Sequence, residues 1–207
     1  MPSIVGIVPW KSNEHCKSRL ASVLSPAMRM QVAREMLQRV LSVLTKDSHL
    51  SGRILLGSGD EALRIAVSSG FEFWPDHKPG LNAALHYTLQ TCRKLGYDFA
   101  LVIPGDLPLI KTDDLDGLFR AKASYDAIIV PSKERTGTNA LLVPLEAKFV
   151  PSFGPGSFSA HLRSLTSRGI SVGVYESPGL CFDLDTPEDW LSWGRQVMET
   201  LERRTTE

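Results

Sequence analysis

Short runs of β-branched and other apolar residues alternate along the chain with longer segments in which apolar residues recur every three or four positions. The first pattern is typical of strands and the second of amphipathic helices. The predicted strands are 3–8, 53–56, 71–73, 98–103, 127–130, 140–143 and 171–174. Strands that alternate with helices in this way predict an α/β fold with a mostly parallel central sheet.

The clearest predicted helix follows Ser25, which is suited to cap a helix, and Pro26, which favours the first helical position. Its apolar stripe should lie against the sheet and consists of Ala33, Met36, Leu37, Val40, Leu41 and Leu44. Further helices are predicted from 60 to about 69, from 81 to 95, from about 112, from 157 to 168 and from 187. No linker interrupts the pattern, so we expect one domain over residues 1–207.

The composition adds few constraints. Lys plus Arg and Asp plus Glu are both 23, so the overall charge favours neither a nucleic acid nor an anionic membrane as a partner. The longest apolar runs fall far short of the ~20 residues that a membrane helix needs, and the chain starts on a strand pattern rather than an export signal. Cys16, Cys92 and Cys181 have neither metal-site nor disulfide spacing, and we give them no role. We expect a cytoplasmic protein.

The turn after the first predicted strand is rich in cations. In open parallel sheets, ligands bind beyond the carboxyl ends of the strands, and here Pro9 is followed by Lys11, Lys17 and Arg19. Lysine and arginine stabilise charge on phosphate oxygens, so the turn is a candidate triphosphate site. A solvated basic loop would have the same composition. His15, in the same turn, is expected to be an exposed loop residue.

Asp106 is a candidate metal ligand. It follows the apolar strand at 98–103 and lies between Pro104 and Pro108. Mg²⁺ takes one or two protein carboxylates and fills its other positions with water and substrate phosphate oxygens. The alternative is a turn in which Asp106 only accepts hydrogen bonds from nearby backbone N–H groups.

A second acidic turn comes late in the chain. Thr-Pro-Glu-Asp at 186–189 predicts a helix start, which accounts for the acids at 188 and 189. Asp183 and Asp185 are not explained in this way. Alternation places both carboxylates on the same face of the strand expected before them, so one or both could meet Asp106 across the sheet and complete a metal site. Solvent-facing strand carboxylates are the alternative.

Two glycine-containing loops offer hydroxyls and exposed backbone N–H groups. The loop at 136–139 holds Thr138 and Asn139, and the loop at 153–158 holds Gly154 and Ser157 and opens a predicted helix. Helix N-termini and successive backbone amides bind phosphate or carboxylate groups. Ordinary turns use the same residues, but together the two loops favour an anionic acceptor.

Seven motifs carry a resemblance that covers nearly the whole chain: Pro-Trp-Lys at 9–11, Lys-Ser-Arg-Leu at 17–20, Gly-Leu-Asn-Ala-Ala at 80–84, Gly-Asp-Leu-Pro-Leu at 105–109, Gly-Thr-Asn-Ala-Leu at 137–141, Phe-Gly-Pro-Gly-Ser-Phe at 153–158 and Asp-Leu-Asp-Thr-Pro-Glu-Asp at 183–189. The chain resembles the 2-phospho-L-lactate and phosphoenolpyruvate guanylyltransferases of F-420 coenzyme biosynthesis. The acidic motifs are shared by many nucleotidyltransferases, whereas the two glycine loops are more specific. Trp10 departs from the family pattern, in which a small aliphatic residue is common, and could reshape the nucleotide pocket.

The resemblance implies a three-layer, Rossmann-like (GT-A-like) nucleotidyltransferase fold, with GTP and Mg²⁺ bound, that transfers GMP to an acceptor phosphate and releases pyrophosphate. The metal would be held by Asp106, Asp183 and Asp185, with Asp185 mattering more than Asp183. The catalytic set would be Lys11, Lys17, Arg19 and Asp106. The expected nucleotide contacts are Pro9, Lys11, Lys17, Gly80, Leu81 and Asn82. The expected acceptor contacts are Thr138, Asn139, Gly154 and Ser157. No general base is needed, because the attacking phosphate is already ionised.

Two other functions share part of this pattern. A nucleotidyltransferase acting on molybdopterin or a sugar phosphate would use the same metal carboxylates but has no reason for the loop at 153–158. A non-catalytic regulatory module could bind nucleotide through the same fold. The sequence does not distinguish phospholactate, phosphoenolpyruvate and 3-phosphoglycerate as acceptors. It is also compatible with a homo-oligomer.

Overall fold

A seven-stranded sheet runs through the protein, whose computed structural model describes residues 2–11 and 17–202. The strands are β1 (Ile4–Trp10), β2 (Gly52–Gly57), β3 (Glu72–Pro75), β4 (Phe99–Val102), β5 (Ala127–Pro131), β6 (Thr138–Pro144) and β7 (Val172–Val174). Their order across the sheet is β3-β2-β1-β4-β6-β5-β7. Since β6 is antiparallel to β4 and β5 while the other pairings are parallel, the predicted mostly parallel sheet is confirmed.

Helices cover both faces of this sheet. They are α1 (Pro26–Lys46), α2 (Gly59–Ser68), α3 (Leu81–Lys94), α4 (Thr112–Lys122), α5 (Ser157–Thr166), α6 (Pro178–Cys181) and α7 (Pro187–Glu202). Buried side chains of α1, α2 and α4 pack on one face, and those of α3 and α5 pack on the other, which gives three layers. Within the described residues, none of these helices combines the length and apolar character needed to cross a membrane.

The start and the buried face of α1 confirm the sequence prediction. The Ser25 hydroxyl accepts a hydrogen bond from the N–H of Met28 at 3.3 Å, and Pro26 is the first helical residue. All six residues of the predicted apolar stripe are buried. The helix is therefore held by one apolar face, which packs on the sheet beside β1. The bounds of the seven predicted strands differ from the observed ones by at most two residues.

The strand expected just before Asp183 and Asp185 is not present. Residues 182–186 form no strand, and the four-residue helix α6 precedes them. Phe182 and Leu184 are buried while Asp183 and Asp185 are partly exposed, so the expected alternation is present. Alternation follows from any extended backbone, whereas a strand also needs a neighbour to pair with. Here the N–H of Leu184 donates to the carbonyl of Asp106 at 3.4 Å instead.

The predicted helix start at 186–189 is confirmed as a reciprocal cap. The N–H of Asp189 donates to the Thr186 hydroxyl at 3.2 Å, and the N–H of Thr186 donates to the Asp189 carboxylate at 2.9 Å. Two N–H groups that the helix leaves unpaired are thereby satisfied. The cap fixes the chain just after Asp185, which orients that carboxylate toward the edge of the sheet described below.

Candidate active site

The ends of β1 and β4 and the beginning of β6 meet at one edge of the sheet. β1 and β4 are parallel neighbours, so the residues after Trp10 and after Val102 emerge at the same edge. β6 is antiparallel to β4, with Val102 opposite Leu141, so β6 begins where β4 ends. The basic turn, the Asp106 turn and the Thr138 loop, which are far apart in sequence, are thus brought together.

Lys17 and Arg19 form a network with two of the predicted metal ligands. The Lys17 Nζ lies 2.6 Å from Asp106 Oδ2 and 3.5 Å from Asp185 Oδ1. An Nη1 of Arg19 donates to the other oxygen of Asp185 at 2.6 Å. Lys17 therefore joins the turn after β4 to the turn before α7. His15 and Cys16, which the sequence analysis also considered, lie outside the described residues.

The Lys17 ammonium is buried but strongly compensated, with 8% of its side chain exposed. Burial alone would lower the pKa of Lys17, but the carboxylates of Asp106, Asp185 and Asp183 outweigh it and hold that pKa above its usual value. A buried charge of this kind is strongly destabilising if it is left without any partner. Lys17 is therefore a fixed positive charge at the centre of the site.

Asp183 is held by a residue of β6, Asn139. The Asp183 Oδ1 accepts a hydrogen bond from the Asn139 Nδ2 at 3.1 Å, and the same Nδ2 also donates to the Leu180 carbonyl at 3.1 Å. Burial, with the nearby charge of Asp106, raises the pKa of Asp183 to about 6, although the Asn139 hydrogen bond and Lys17 oppose this. Asn139, expected to contact the acceptor, thus donates its amide hydrogens to Asp183 and the α6 backbone.

Two of the cavities at this edge share Asp106 in their walls. One, of about 320 Å³, is lined by Pro9, Trp10, Lys11, Lys17, Ala33, Leu56, Asp76, Leu81, Pro104, Gly105 and Asp106. The other, of about 600 Å³, includes Arg19, the acidic turn and both glycine loops in its lining. Leu81, Pro104 and Asp106 belong to both. Asp106 is therefore positioned to face ligands in either cavity.

The smaller cavity contains most of the predicted nucleotide contacts. Lys11 Nζ lies 3.0 Å from Asp76 Oδ2, and the Asp76 side chain is only 4% exposed. Asp76 was missed in the sequence analysis, although it directly follows β3 at the ligand-binding edge of the sheet. Trp10 is buried and lines this cavity, so the departure from the family pattern does fall in the predicted nucleotide pocket.

The turn at 80–82 links the two cavities. Gly80 has a positive φ of 82° just before α3, and Leu81 lines both cavities. The side-chain amide of Asn82 donates to the Phe153 carbonyl at 3.0 Å and accepts from the Phe153 N–H at 2.7 Å. Asn82, expected to contact nucleotide, therefore uses these polar atoms to fix the loop at 153–158. Its predicted nucleotide contact remains a prediction.

The larger cavity contains the predicted acceptor residues. The N–H of Ser157 donates to the Gly154 carbonyl at 3.0 Å, and that of Phe158 donates to the Thr136 carbonyl at 3.4 Å. These two backbone amides are thus already used within the protein. The Ser157 hydroxyl, in contrast, is buried and has no hydrogen-bond partner among the described residues. Unlike these two amides, the Ser157 hydroxyl is therefore a donor that no described residue uses.

His161 was also missed in the sequence analysis. It is fully buried on α5, and its Nδ1 lies 3.0 Å from the Thr138 Oγ1. Burial lowers the pKa of His161 to about 4, so the ring is neutral at physiological pH. Its position is one helical turn after Ser157, and this spacing is the only signal in the sequence that connects it to the site.

The two described cysteines support no nucleophilic role. Cys92 is buried on α3, and burial together with the charge of Glu72 raises the pKa of its thiol to about 12. Burial also raises the pKa of Cys181, at the end of α6. A raised pKa disfavours the reactive thiolate, in keeping with the absence of a role in the sequence analysis.

A further group of possible metal ligands lies elsewhere. Among the described residues, Asp47, His49 and Asp116 have ligand atoms within 4.8 Å of one another. Asp47 follows the last turn of α1, which leads back from the carboxyl end of β1 toward the start of β2. The group is therefore at the opposite edge of the sheet from the two cavities. His49 also stacks on Phe119, with ring centroids 4.3 Å apart.

Proteins with similar sequences are guanylyltransferases. The phosphoenolpyruvate guanylyltransferase of Rubrobacter xylanophilus is 38% identical over 192 residues, covering 90% of this chain and 91% of that protein. The 3-phospho-D-glycerate guanylyltransferase of Phenylobacterium zucineum is 32% identical, covering 89% of each. The 2-phospho-L-lactate guanylyltransferase of Methanothermobacter thermautotrophicus is 31% identical, covering 88% of this chain and 80% of that protein.

Solved structures with similar folds support the nucleotidyltransferase-like architecture. A nucleotide-diphospho-sugar transferase, so described, from Desulfovibrio desulfuricans G20 superposes with a TM-score of 0.75 at 16% identity, covering 100% of this chain and 96% of that chain. Glucosyl-3-phosphoglycerate synthase from Mycobacterium tuberculosis, solved with Mg²⁺ and UDP, gives 0.63 at 16% identity, covering 98% and 79%. At these identities the likeness extends to the fold alone, and it confirms the predicted Rossmann-like fold class.

The family model for CofC-like guanylyl transferases matches residues 4–196, nearly the whole chain. Together with relatives above 30% identity over most of the chain, this match confirms the resemblance and the expectation of a nucleotidyltransferase enzyme. The chain belongs to the family of CofC-like guanylyl transferases.

Proposed function

We propose that the protein transfers GMP from GTP to the phosphate of a small phosphorylated carboxylic acid and releases pyrophosphate, as a step in the biosynthesis of an F-420 type coenzyme. The candidate acceptors are 2-phospho-L-lactate, phosphoenolpyruvate and 3-phosphoglycerate, which three relatives carry in their names. The observation that carries the proposal is the pair of cavities that share Asp106. Group transfer between two bound substrates needs such a meeting point, because the reacting atoms must be held in contact.

We assign the smaller cavity to GTP. Lys11 and Lys17 line it, and both can bind phosphate oxygens. Asp106 and Asp185 hold Lys17 at this edge of the sheet, so its positive charge is in place before a triphosphate binds. Arg19 extends the positive charge into the larger cavity. Pro9, Gly80 and Leu81 would then surround the nucleotide through backbone and apolar contacts.

We assign Asp106, Asp183 and Asp185 to a Mg²⁺ ion. Oxygen ligands from carboxylates suit this hard cation. The carboxylates of Asp106, Asp183 and Asp185 all lie close enough to Lys17 to raise its pKa, which supports a shared site. When bound, Mg²⁺ would neutralise charge on the phosphate oxygens of GTP. Binding of Mg²⁺ would require these carboxylates to rearrange, since oxygens of Asp106 and Asp185 now lie against the Lys17 ammonium.

The chemistry then follows from charge and position. An acceptor phosphate oxygen attacks the α-phosphorus of GTP in line with the bond to the leaving pyrophosphate. Both reactants are anions, so Lys11, Lys17 and Arg19 lower their repulsion and stabilise charge on the leaving oxygens. No general base is required, because the attacking phosphate is already ionised at neutral pH.

We assign the larger cavity to the acceptor. Thr138, Gly154 and Ser157 line it, and the unpartnered Ser157 hydroxyl supports an anionic ligand there. The free thiols of Cys92 and Cys181, together with small-molecule substrates of this kind, fit an enzyme of the cytoplasm. A sugar-phosphate transferase would use the same metal carboxylates but has no reason for the loop at 153–158.

The test measures pyrophosphate release with GTP and each of the three acids, and identifies the GMP adducts by mass. Glucose 1-phosphate is the control for a sugar-phosphate transferase, and ATP is the control for the base. A GMP adduct with at least one acid, and none with glucose 1-phosphate, is expected. An adduct only with the sugar phosphate would overturn the acceptor assignment, and no turnover under any condition would favour a non-catalytic module.

A further inference from the structure

His161 connects the acceptor cavity to a buried hydrogen-bonded chain. The ring is fully buried, and the edges of Phe149 and Phe153 face it at centroid distances of 5.3 and 4.8 Å. Its Nε2 lies 2.9 Å from the backbone nitrogen of Ser152. Its Nδ1 lies 3.0 Å from the Thr138 hydroxyl. Both ring nitrogens therefore have a partner.

The partner of Nε2 decides where the ring proton is. A backbone N–H can only donate, so the Nε2 of His161 must accept from Ser152 and carry no proton. The neutral ring then has its single proton on Nδ1, and the low pKa of this buried histidine agrees with a neutral ring. It follows that Nδ1–H donates to the Thr138 oxygen, rather than the reverse.

The direction of that bond fixes what Thr138 can do. A hydroxyl has one hydrogen to donate, and here its oxygen already accepts from His161. No other partner of this hydroxyl is found among the described residues, so its hydrogen is available to the cavity that Thr138 lines. Ser157 lines the same cavity, and its buried hydroxyl is also without a partner among the described residues. An oxygen that only accepts, such as a carboxylate or phosphate oxygen, matches two such donors.

We propose that His161 is a positioning residue for acceptor binding. It accepts a hydrogen bond from the N–H of Ser152 and donates one to the Thr138 oxygen. The Thr138 hydroxyl hydrogen is thereby directed at an anionic group of the acceptor. The inference rests on the proposed function. His161 touches neither cavity itself, so its effect on binding is exerted through Thr138. It also ties α5 to the loop that contains Ser152, so the test must separate positioning from simple packing.

Two substitutions separate the two hydrogen bonds of His161. In His161→Asn, an amide nitrogen on Cγ replaces Nδ1 and can still donate to Thr138, but the side chain is too short to reach Ser152. In His161→Gln, the longer side chain can accept from Ser152 but loses the donor to Thr138. We expect His161→Gln to raise the acceptor KM by about tenfold, because a charge-assisted hydrogen bond is no longer oriented, with the KM for GTP unchanged. His161→Asn should keep an acceptor KM closer to that of the wild type.

A double-mutant cycle tests whether the effect passes through Thr138. Thr138→Val removes the hydroxyl while keeping the branched shape. In that background His161→Gln should change the acceptor KM by less than about twofold, since nothing remains to be oriented. Additive effects of the two substitutions would overturn the proposal and indicate that His161 acts through packing alone. Thr138→Ser, which restores a hydroxyl, should restore the effect of His161→Gln.

A measurement on the wild-type protein guards against variants that do not fold. The ¹⁵N NMR signals of labelled His161 distinguish a protonated from an unprotonated ring nitrogen. A proton on Nδ1 alone is expected, and a proton on Nε2 would overturn the inference. The proposed function fails separately: it fails if the wild type makes no GMP adduct with any of the acids, whereas the inference fails if the wild type is active and His161→Gln binds acceptor normally.

Discussion

The Nζ of Lys17 lies 2.6 Å from the Oδ2 of Asp106, so a buried cation and the carboxylate shared by both cavities form a direct pair. The two residues are 89 positions apart. Their contact draws the basic turn after β1 onto the end of β4. Loss of the Asp106 charge should therefore affect catalysis more than folding, because Asp185 and Asp183 still face Lys17 when Asp106 is neutral.

Asp106→Asn should preserve the fold and lower kcat/KM roughly hundredfold or more. The substitution keeps the side-chain volume but removes a metal ligand, and with it stabilisation of charge in the transition state. Steady-state kinetics and the melting temperature check the two halves of this prediction. Asp113→Asn, at an exposed position in the first turn of α4, is the control and should stay within about twofold of wild type. A kcat/KM for Asp106→Asn within about threefold of wild type would contradict the metal assignment.

Asp185→Asn should be more damaging than Asp183→Asn. Asp185 is bound to both Lys17 and Arg19, so its loss removes a metal ligand and releases two cations. Burial and the charge of Asp106 raise the pKa of Asp183 to about 6, which makes its carboxylate less available to a metal. The measurement is the Mg²⁺ concentration that gives half-maximal activity. It should rise most for Asp185→Asn and stay unchanged for the exposed neighbour Glu188→Gln. Equal tolerance of both aspartate substitutions would argue against a metal held from both sides.

Local patterns predicted the fold well, because they reflect forces that act within a few residues. The apolar stripe of α1 and the cap at Ser25 were visible in the sequence and are present in the structure. The helix α6 was missed, since four residues are too few to show a periodicity. The strand expected before Asp183 was wrong, because alternation shows an extended backbone but cannot show whether a neighbouring strand is there to pair with it.

The candidate site was predicted less completely, for a related reason. Motif resemblance identified Asp106, Asp183 and Lys17, and the structure brings them together. It gave no indication of Asp76 or His161, whose partners Lys11 and Thr138 are distant in sequence. A lone histidine on a helix is usually a core residue. Only the contacts at its two nitrogens reveal what it orients.

Ser157→Ala should raise the acceptor KM by about tenfold or more and leave the GTP KM nearly unchanged. The buried hydroxyl has no protein partner, and one hydrogen bond to a charged group contributes about 1.5–3 kcal/mol. Kinetics with GTP and acceptor varied separately provide the measurement, and Ser159→Ala, at an exposed position on the same helix, is the matched control. A defect confined to GTP would mean that the loop belongs to the other substrate.

Gly154→Val should impair acceptor use more than Ser157→Ala does. Gly154 has a φ of 129°, a conformation that β-branched residues avoid, and it lines the larger cavity. A Cβ at this position would meet no protein atom within 4 Å, so the damage should come from backbone strain and from a side chain in the ligand space. The melting temperature separates the two causes. A normal acceptor KM for this variant would exclude the loop from acceptor binding.

His161→Phe should flatten the pH dependence of stability between about pH 6.5 and 4. In the wild type, burial lowers the pKa of His161 from 6.5 to about 4, so the unfolded chain takes up a proton in this interval that the folded protein does not bind. The free energy of unfolding therefore falls as the pH drops through the interval, by up to roughly 3 kcal/mol for a shift of this size. The phenylalanine variant has no such proton to bind.

The difference between wild type and variant isolates this contribution from that of Asp183. The pKa of Asp183 is raised to about 6, so the unfavourable burial of its charge is relieved as the pH falls and it works in the opposite direction. Asp183 is present in both proteins and cancels in the difference of their unfolding free energies, measured by urea denaturation at several pH values. His161→Asn, which also lacks the imidazole but packs differently, should show the same flattening. If the difference between wild type and both variants is constant from pH 6.5 to 4, His161 is not held neutral in the folded protein, and the donor role assigned to its Nδ1 loses its basis.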